Sequence, residues 1–528
     1  MIFRSAHPDV SIPNVPVHEY VLRHAQRLAD KPALIDAGSG RTLTYAQLAG
    51  ASRKCAAGLA ARGFGKGQVF AIYLPNLPEY AVAFLGVSMT GGTNTTINPL
   101  YTADELANQL NDCKARFLLT LPPFLDKARE AAAKVPSLEE LFVLGEAEGA
   151  TPFAALLEGG GEPPTPAIDP AENLVVLPYS SGTTGLPKGV MLTHRNLVAN
   201  LEQCIGMESF DCFVESDVVM CVLPMFHIYG MVVVLQITLA VGGTVITMPR
   251  FDMVEFLAHV QQYKATVAPL VPPIVLGLAK HPVVDQYDLS SLRLIVCGAA
   301  PVGPEVARDA SRRVKCKLGQ GYGMTEASPV THLSPTHNPD FIQASAGWVV
   351  PNTEVKIVDP ATGAEQGVGG EGELWIRGPQ IMKGYLNRPD ATADSIDPEG
   401  WYKTGDIGHV DEQGYFYVVD RLKELIKYKG LQVAPAELEG LVLTHPDVAD
   451  VAVVPSPDEE AGEVPKAFVV LKPGHEAQAE EIMRFVAGKV APHKRIRRLE
   501  FIEQVPKSAS GKILRRVLVE RERQERAG

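Results

Sequence analysis

The strongest constraint on the fold is a repeated switch between short apolar runs and stretches with helical periodicity. Residues 70–74 (FAIYL) read as a buried strand, residues 75–78 as a turn, and residues 79–89 as a helix. Residues 116–120, 174–177, 218–223, 244–248 and 292–296 are further strand candidates, and residues 195–204, 254–263 and 303–312 have helical spacing. This rhythm predicts α/β layers, with sheets covered by helices. From about Gly347 the texture shifts to short strands with Gly, Pro and Asp turns (GELWIRGP, DEQGYFYVVD), predicting a smaller β-rich region. A boundary is expected near Asp420 and Arg421. Beyond it come a charged stretch, strands at 451–454 and 467–471, and an amphipathic helix at 480–490, enough for a small α+β domain. The expected division is residues 1–419 and 420–528.

Composition narrows the function classes. The 528 residues carry a net charge of −12 with no long run of one sign, which argues against broad nucleic-acid binding. Basic residues gather late, at Lys423, Lys427, Lys429, and in 494–498 and 507–516. Solvated faces account for most of them, with a polyanionic small molecule as the sharper alternative. Cys55, Cys113, Cys204, Cys212, Cys221, Cys297 and Cys316 form no CxxC pair and are expected as reduced thiols in a cytoplasmic protein. The opening MIFRSAHPDV does not read as a secretory leader. The apolar residues 230–248 are interrupted by Gln236, Thr238 and Gly242-Gly243, and read as a buried helix followed by a strand, not a membrane span.

The chemistry concentrates in four segments. In YSSGTTGLPKG (179–189), Gly182, Gly185 and Gly189 allow close backbone approach, Ser180, Ser181, Thr183 and Thr184 supply hydroxyls, and Lys188 adds a positive charge. A polar surface turn is the bland alternative, but this density favours phosphate binding. It is not a P-loop, since Gly-Lys-Ser/Thr is absent and an apolar segment follows before a helix capped by Thr193. GQGYGMTE (319–326) offers glycines, an aromatic, a hydroxyl at Thr325 and a carboxylate at Glu326 suited to phosphate and Mg²⁺. WYKTGD (401–406) places Asp406 where it can accept from ribose hydroxyls. PKSASGKILRR (506–516) holds Lys512 in a segment expected to be flexible.

Together with LPMFHIYG, GAAP and DRLKELIKYKGLQVAPAELE, these segments resemble the adenylate-forming superfamily of acyl-CoA synthetases, adenylation domains and luciferases. The likeness is to its 4-coumarate:CoA ligase-like branch and spans nearly the whole chain. It implies a large N-terminal domain of layered α/β subdomains with a β-rich region, plus a small mobile α+β C-terminal domain. It also implies a two-step reaction in which a carboxylate and Mg·ATP give an acyl-adenylate, and coenzyme A then displaces AMP. By resemblance, Ser180, Ser181, Gly182, Thr183, Thr184 and Lys188 hold the β- and γ-phosphates. Thr325 meets the α-phosphate and Glu326 the metal. Asp406 and Arg421 hold the ribose, Ala299, Ala300, Tyr322 and Gly323 surround the adenine, and Lys512 bridges carboxylate and α-phosphate. His227 would sit at the mouth of the acyl pocket, where a packed core histidine is the ordinary alternative. Lys427 and Gln432 support the adenylate, and Lys429 and Gly430 flank the pantetheine path. Asp420 is the expected hinge between half-reactions.

The resemblance lines the acyl pocket with Ile228, Tyr229, Val232, Leu270, Val296, Gly298, Ala299, Gly321, Gly323, Pro329 and Val330. Plant coumarate ligases commonly carry lysine at the position of Val296 and asparagine at that of Val232. An unpartnered ring hydroxyl costs about 1–3 kcal/mol, so cinnamate, another aryl acid or a fatty acid stand beside hydroxycinnamates. A stand-alone adenylation enzyme loading a carrier protein is the alternative to a CoA ligase, and an adenylate-binding sensor is the non-enzymatic one. The expected partners are a small carboxylic acid, ATP and coenzyme A, without nucleic acid or membrane span. A lysine acetyltransferase acting on Lys512 is a further expectation, in a monomer or homodimer.

Overall fold

The computed structural model describes residues 1–159, 161–180, 187–206, 213–338, 341, 345–429, 431–508 and 511–527. Among these, the chain builds four sheets. The eight-stranded sheet runs in the order Gly384–Tyr385, Lys188–Thr193, Leu174–Ser180, Thr93–Thr96, Val69–Ile72, Ala115–Thr120, Glu140–Val143 and Thr151–Pro152. Its inner pairs are parallel, and the Lys188–Thr193 edge is antiparallel. The nine-stranded sheet has a parallel centre of Leu294–Cys297, Val267–Leu270, Val218–Cys221 and Thr244–Thr247, with Lys317–Gly323 beside the first. Parallel strands need crossover helices and cover on both faces, which explains their nearly unbroken apolar runs.

The two large sheets enclose the helix Pro78–Met89, apolar on most sides and buried along nearly its whole length. It packs on Tyr45–Ala61 so closely that a Cβ at Gly86 would lie 2.8 Å from Cys55 Sγ. Helix starts are written locally: Thr44, Thr102 and Thr193 each form a reciprocal capping box with the residue three positions on. Residues 229–241 differ from the single expected helix. A π-helical stretch, Tyr229–Gln236, precedes the α-helix Ile237–Val241, and the Ile237 N–H reaches back five residues to the Val232 carbonyl. Gly230 permits this geometry, since a Cβ there would lie 2.2 Å from the Pro224 carbonyl oxygen.

The β-rich region is a five-stranded sheet: Phe3–Arg4, Glu354–Val358, Gly372–Arg377, Tyr402–Val410 and Phe416–Arg421. Its first strand comes from the start of the chain, more than three hundred residues away in sequence, with Phe3 opposite Val355. Asp420 and Arg421 still belong to the last strand, opposite Ile407 and Asp406. The final unit has its own sheet, built on the hairpin Val448–Asp458 and Gly462–Leu471, and its own core containing Ile426, Leu438, Val451, Val469 and Ile482. The helix Arg515–Ala527 closes it, anchored by Lys466, whose ammonium meets Glu522 at 2.5 Å and Glu500 at 2.7 Å. No helix among the described residues is long and apolar enough to cross a membrane. Six of the seven cysteines are buried free thiols, and Cys212 lies outside the described residues.

Candidate active site

The site forms where all these units meet. Ser180 ends the strand Leu174–Ser180, and Lys188 begins the antiparallel partner Lys188–Thr193. Ser181, Gly182, Thr183 and Thr184 lie outside the described residues. Ser180 Oγ donates to Glu326 Oε1 at 2.8 Å, joining the hydroxyl-rich loop to the Thr325–Ala327 turn. Glu326 is nearly buried, and its second donor is one that the sequence reasoning missed: the Tyr385 hydroxyl, also on Oε1, at 2.9 Å. The only sequence signal for Tyr385 is a Gly-Tyr pair in an extended segment.

The expected ribose-binding group is assembled across the β-rich sheet. Asp406 and Arg421 are register partners on adjacent strands, with a 3.2 Å ion pair. Tyr322, from Lys317–Gly323, donates to Asp406 Oδ2 at 2.6 Å. Burial and then the Asp406 charge push the Tyr322 phenol well up, so it stays protonated as a donor. Ala299 follows the strand Leu294–Cys297 with φ of 70°, an uncommon left-handed conformation for a residue with a Cβ, and Ala300 succeeds it.

His227 sits on a loop clamped from the other large sheet, by residues the sequence did not single out. Asn76 Nδ2 donates to the Cys221 and Leu223 carbonyls at 3.2 and 2.9 Å, and its Oδ1 accepts from Met225 N at 2.7 Å. Thr96 Oγ1 donates to the Phe226 carbonyl at 2.7 Å. The Tyr229 N–H donates to His227 Nδ1 at 3.3 Å, which leaves the ring proton on Nε2. Burial, then the Lys512 charge, lowers the His227 pKa to about 4, so it is neutral at physiological pH.

The acyl-pocket residues gather around this loop. Ile228, Tyr229, Val232, Leu270, Val296 and Val330 belong to one buried cluster. The Tyr229 hydroxyl donates to the Val296 carbonyl at 2.9 Å, and a Cβ at Gly298 would lie 2.9 Å from the Tyr229 ring. Gly321 faces Leu333, and Gly323 packs on the Pro329 backbone so tightly that a Cβ would come within 2.1 Å of its carbonyl oxygen. Asn200 fixes Val330 through both backbone groups, at 2.7 and 3.0 Å.

Lys512 is tied to described neighbours in its segment, of which Ala509 and Ser510 lie outside the described residues. Its carbonyl accepts from Ser508 N at 2.8 Å, its N–H donates to Ser508 Oγ at 3.1 Å, and Lys507 bridges to Ile513. Gly511, at φ of 78°, abuts the large unit, where a Cβ would lie 3.1 Å from Val271 Cγ2. This contact holds Lys512 against the large unit, within electrostatic reach of His227. Burial, then Arg421, depresses the Lys512 pKa to about 8, while Glu424 and Asp406 pull it back up.

Behind Lys512, Arg515 spreads its guanidinium between Glu424 at 2.5 Å and Glu439 at 2.6 Å. The buried Glu439 carboxyl is raised to about 7 by desolvation, against the pull of Arg515. Asp420 accepts from its own neighbour Arg421 N and from Ala436 N, at the start of helix Pro435–Val442. In the expected thioester-forming turn, Lys427 and Gln432 are paired on the hairpin Ile426–Tyr428 and Leu431–Val433, and Lys429 is ion-paired to Glu460. Gly430 and the Gln432 side chain lie outside the described residues.

Among the described residues no cluster of three or more His, Cys, Asp or Glu side chains forms a ready metal cage. Glu326 nonetheless fits Mg²⁺, which is bound by one or two carboxylates plus substrate phosphates. Both donors occupy Oε1, and among the described residues no partner is seen for Oε2.

Ser180 beside Glu326, the Asp406–Arg421–Tyr322 group, and Lys512 carried by the second unit make up the candidate site. The chain belongs to the AMP-binding enzyme family, whose model matches residues 21–386, with the AMP-binding enzyme C-terminal domain matching residues 437–512. It is 48% identical over 526 residues to 4-coumarate–CoA ligase 2 of Petroselinum crispum, covering 98% of this chain and 96% of that protein. It is 47% identical over 530 residues to the 4-coumarate–CoA ligase of Vanilla planifolia, with the same coverage. Among solved structures, the anthranilate CoA ligase AuaEII in complex with anthranoyl-AMP matches with a TM-score of 0.90 at 25% identity, covering 98% of this chain and 99% of that one. A benzoate CoA ligase from Burkholderia xenovorans LB400 matches at 0.86 and 25%, covering 96% and 100%.

Proposed function

We infer that this protein is an ATP-dependent, AMP-forming acid:CoA ligase acting on aryl acids of the cinnamate and coumarate type. The observation that carries the reading is Lys512, brought by the small unit to His227 and to the Asp406–Arg421 pair of the large one. ATP and coenzyme A are its co-substrates, with Mg²⁺ as the metal. A carboxylate oxygen of the acid attacks the α-phosphorus, and pyrophosphate leaves. The thiol of coenzyme A then attacks the acyl carbon, and AMP leaves with the oxygen that bonded phosphorus.

The first step brings two anions together, so fixed positive charge aimed at the meeting point lowers its barrier. Lys512 would hold the acid and the α-phosphate, Thr325 would donate to that phosphate, and neutral His227 would offer its Nε2 proton to the acid. Ser180, Lys188 and the intervening loop would grip the departing pyrophosphate. Asp406 would bind the ribose, with Arg421 and Tyr322 orienting it. Bound at Glu326, Mg²⁺ would supply charge neutralisation for the phosphates. The second step needs the turn carrying Lys427, Lys429, Gly430 and Gln432, and a rotation about Asp420 would bring it in. Acetylation of Lys512 would remove the bridging charge.

The paired 4-coumarate–CoA ligases and the anthranilate and benzoate ligases support an aromatic acid. Tyr229, Val296 and Gly298 would form the walls of a flat slot, and apolar Val232 and Val296 favour rings with few hydroxyls. The test is incubation with ATP, Mg²⁺, coenzyme A and a panel of aryl and fatty acids, measuring AMP, pyrophosphate and thioester. Cinnamate- or coumarate-type acids should give equal amounts of both products. Pyrophosphate without thioester for every acid would overturn the CoA-ligase reading.

A further inference from the structure

One aromatic side chain links the two charged groups that the proposed reaction places on either side of the triphosphate. Tyr385 donates its hydroxyl to Glu326 Oε1 at 2.9 Å, while the Lys188 ammonium sits over its ring, 4.7 Å from the centroid. Its position is set by backbone on both sides. The Met382 N–H donates to the Glu326 carbonyl at 2.8 Å, Lys383 N–H to Met191 at 2.9 Å, and Leu386 N–H to Gly189 at 2.8 Å. The Tyr385 N–H is itself held by Thr392 Oγ1 at 2.9 Å. The segment therefore stitches the Glu326 turn to the strand that begins at Lys188, with Tyr385 in register with Val190.

The chemistry of the side chain suits both contacts. Burial, and then the Glu326 charge, raise the phenol pKa, so the hydroxyl remains a donor. The ring face attracts an ammonium through its quadrupole without neutralising it, so Lys188 keeps its charge for a phosphate. With Oε1 occupied by Ser180 and Tyr385, the Glu326 carboxylate is oriented with Oε2 available to a cation.

We propose that Tyr385 is a positioning residue that sets Glu326 for the metal through its hydroxyl and Lys188 for the phosphates through its ring. This rests on the nucleotide-binding reading above. The two roles separate by substitution: Tyr385→Phe keeps the ring and loses the hydroxyl, whereas Tyr385→Leu loses both.

The experiment is calorimetric titration of the full chain with ATP, once with Mg²⁺ and once with a chelator, alongside thermal unfolding. Tyr385→Phe should weaken Mg·ATP binding about tenfold, the scale for losing a group that orients a metal ligand, and leave metal-free ATP binding unchanged. Tyr385→Leu should additionally weaken metal-free ATP binding about fivefold, in line with a lost cation–π contact. Equal loss of both affinities in Tyr385→Phe, or loss of neither, would overturn the proposal while leaving the ligase reading standing. Absence of ATP binding by the unsubstituted protein in both titrations would overturn the nucleotide-binding reading itself.

Discussion

At the scale of single residues, Lys512 is the group whose environment says most about its task. Its ammonium is removed from water and placed near Arg421, which lowers its pKa to about 8. A lysine that bridges two anions must be charged, so the free enzyme should lose the first half-reaction as pH rises through about 8. Pyrophosphate release measured as kcat/KM against pH reads this limb. In Lys512→Arg the guanidinium stays protonated, so the limb should disappear, at a lower rate because a planar fork does not reproduce a point charge. Persistence of the same limb in Lys512→Arg would assign it to another group. His227, depressed to about 4, is neutral throughout this range and does not contribute the limb.

At the scale of elements, the ion cluster around Arg515 ties three pieces into one body: the turn holding Glu424, the helix holding Glu439 and the start of the last helix. Removing the cation would leave the Glu424 and Glu439 carboxyls without their shared partner. Arg515→Met should cost about 3–5 kcal/mol of stability, the range for breaking one side of a buried pair. The double variant with Glu439→Gln should recover a large part of it, and chemical unfolding of both checks this. None of this cluster was legible in the sequence, where Glu424, Glu439 and Arg515 are ordinary charges on amphipathic segments. What was legible is local. The strand at 116–120, the helix after Thr193 and the strands at 451–454 and 467–471 all form, because period and capping are written in neighbouring residues. The pairing of Phe3 with Val355, the π-helical stretch at Tyr229–Gln236 and the seat of Tyr385 depend on distant backbone, which no local pattern encodes. The site was legible as motifs, since Asp406, Glu326, Ser180 and Lys512 carry recognisable neighbours. The residues that clamp the His227 loop and Val330, namely Asn76, Thr96 and Asn200, do not.

At the scale of the whole molecule, the site belongs to no single unit. One large sheet supplies Ser180 and Lys188, the other Tyr322 and the acyl walls, the β-rich sheet Asp406 and Arg421, and the small unit Lys512. Gly511 packs on Val271 of the large unit, which places Lys512 within electrostatic reach of His227, Arg421 and Asp406. The central claim is therefore that the acid is joined to AMP before it meets a thiol. The most direct measurement uses an accepted aryl acid labelled with ¹⁸O in both carboxylate oxygens, with ATP, Mg²⁺ and coenzyme A, followed by mass spectrometry of the nucleotide and pyrophosphate. One ¹⁸O should appear in the α-phosphate of AMP and none in pyrophosphate. Label in pyrophosphate or orthophosphate, or ADP as the nucleotide product, would contradict it.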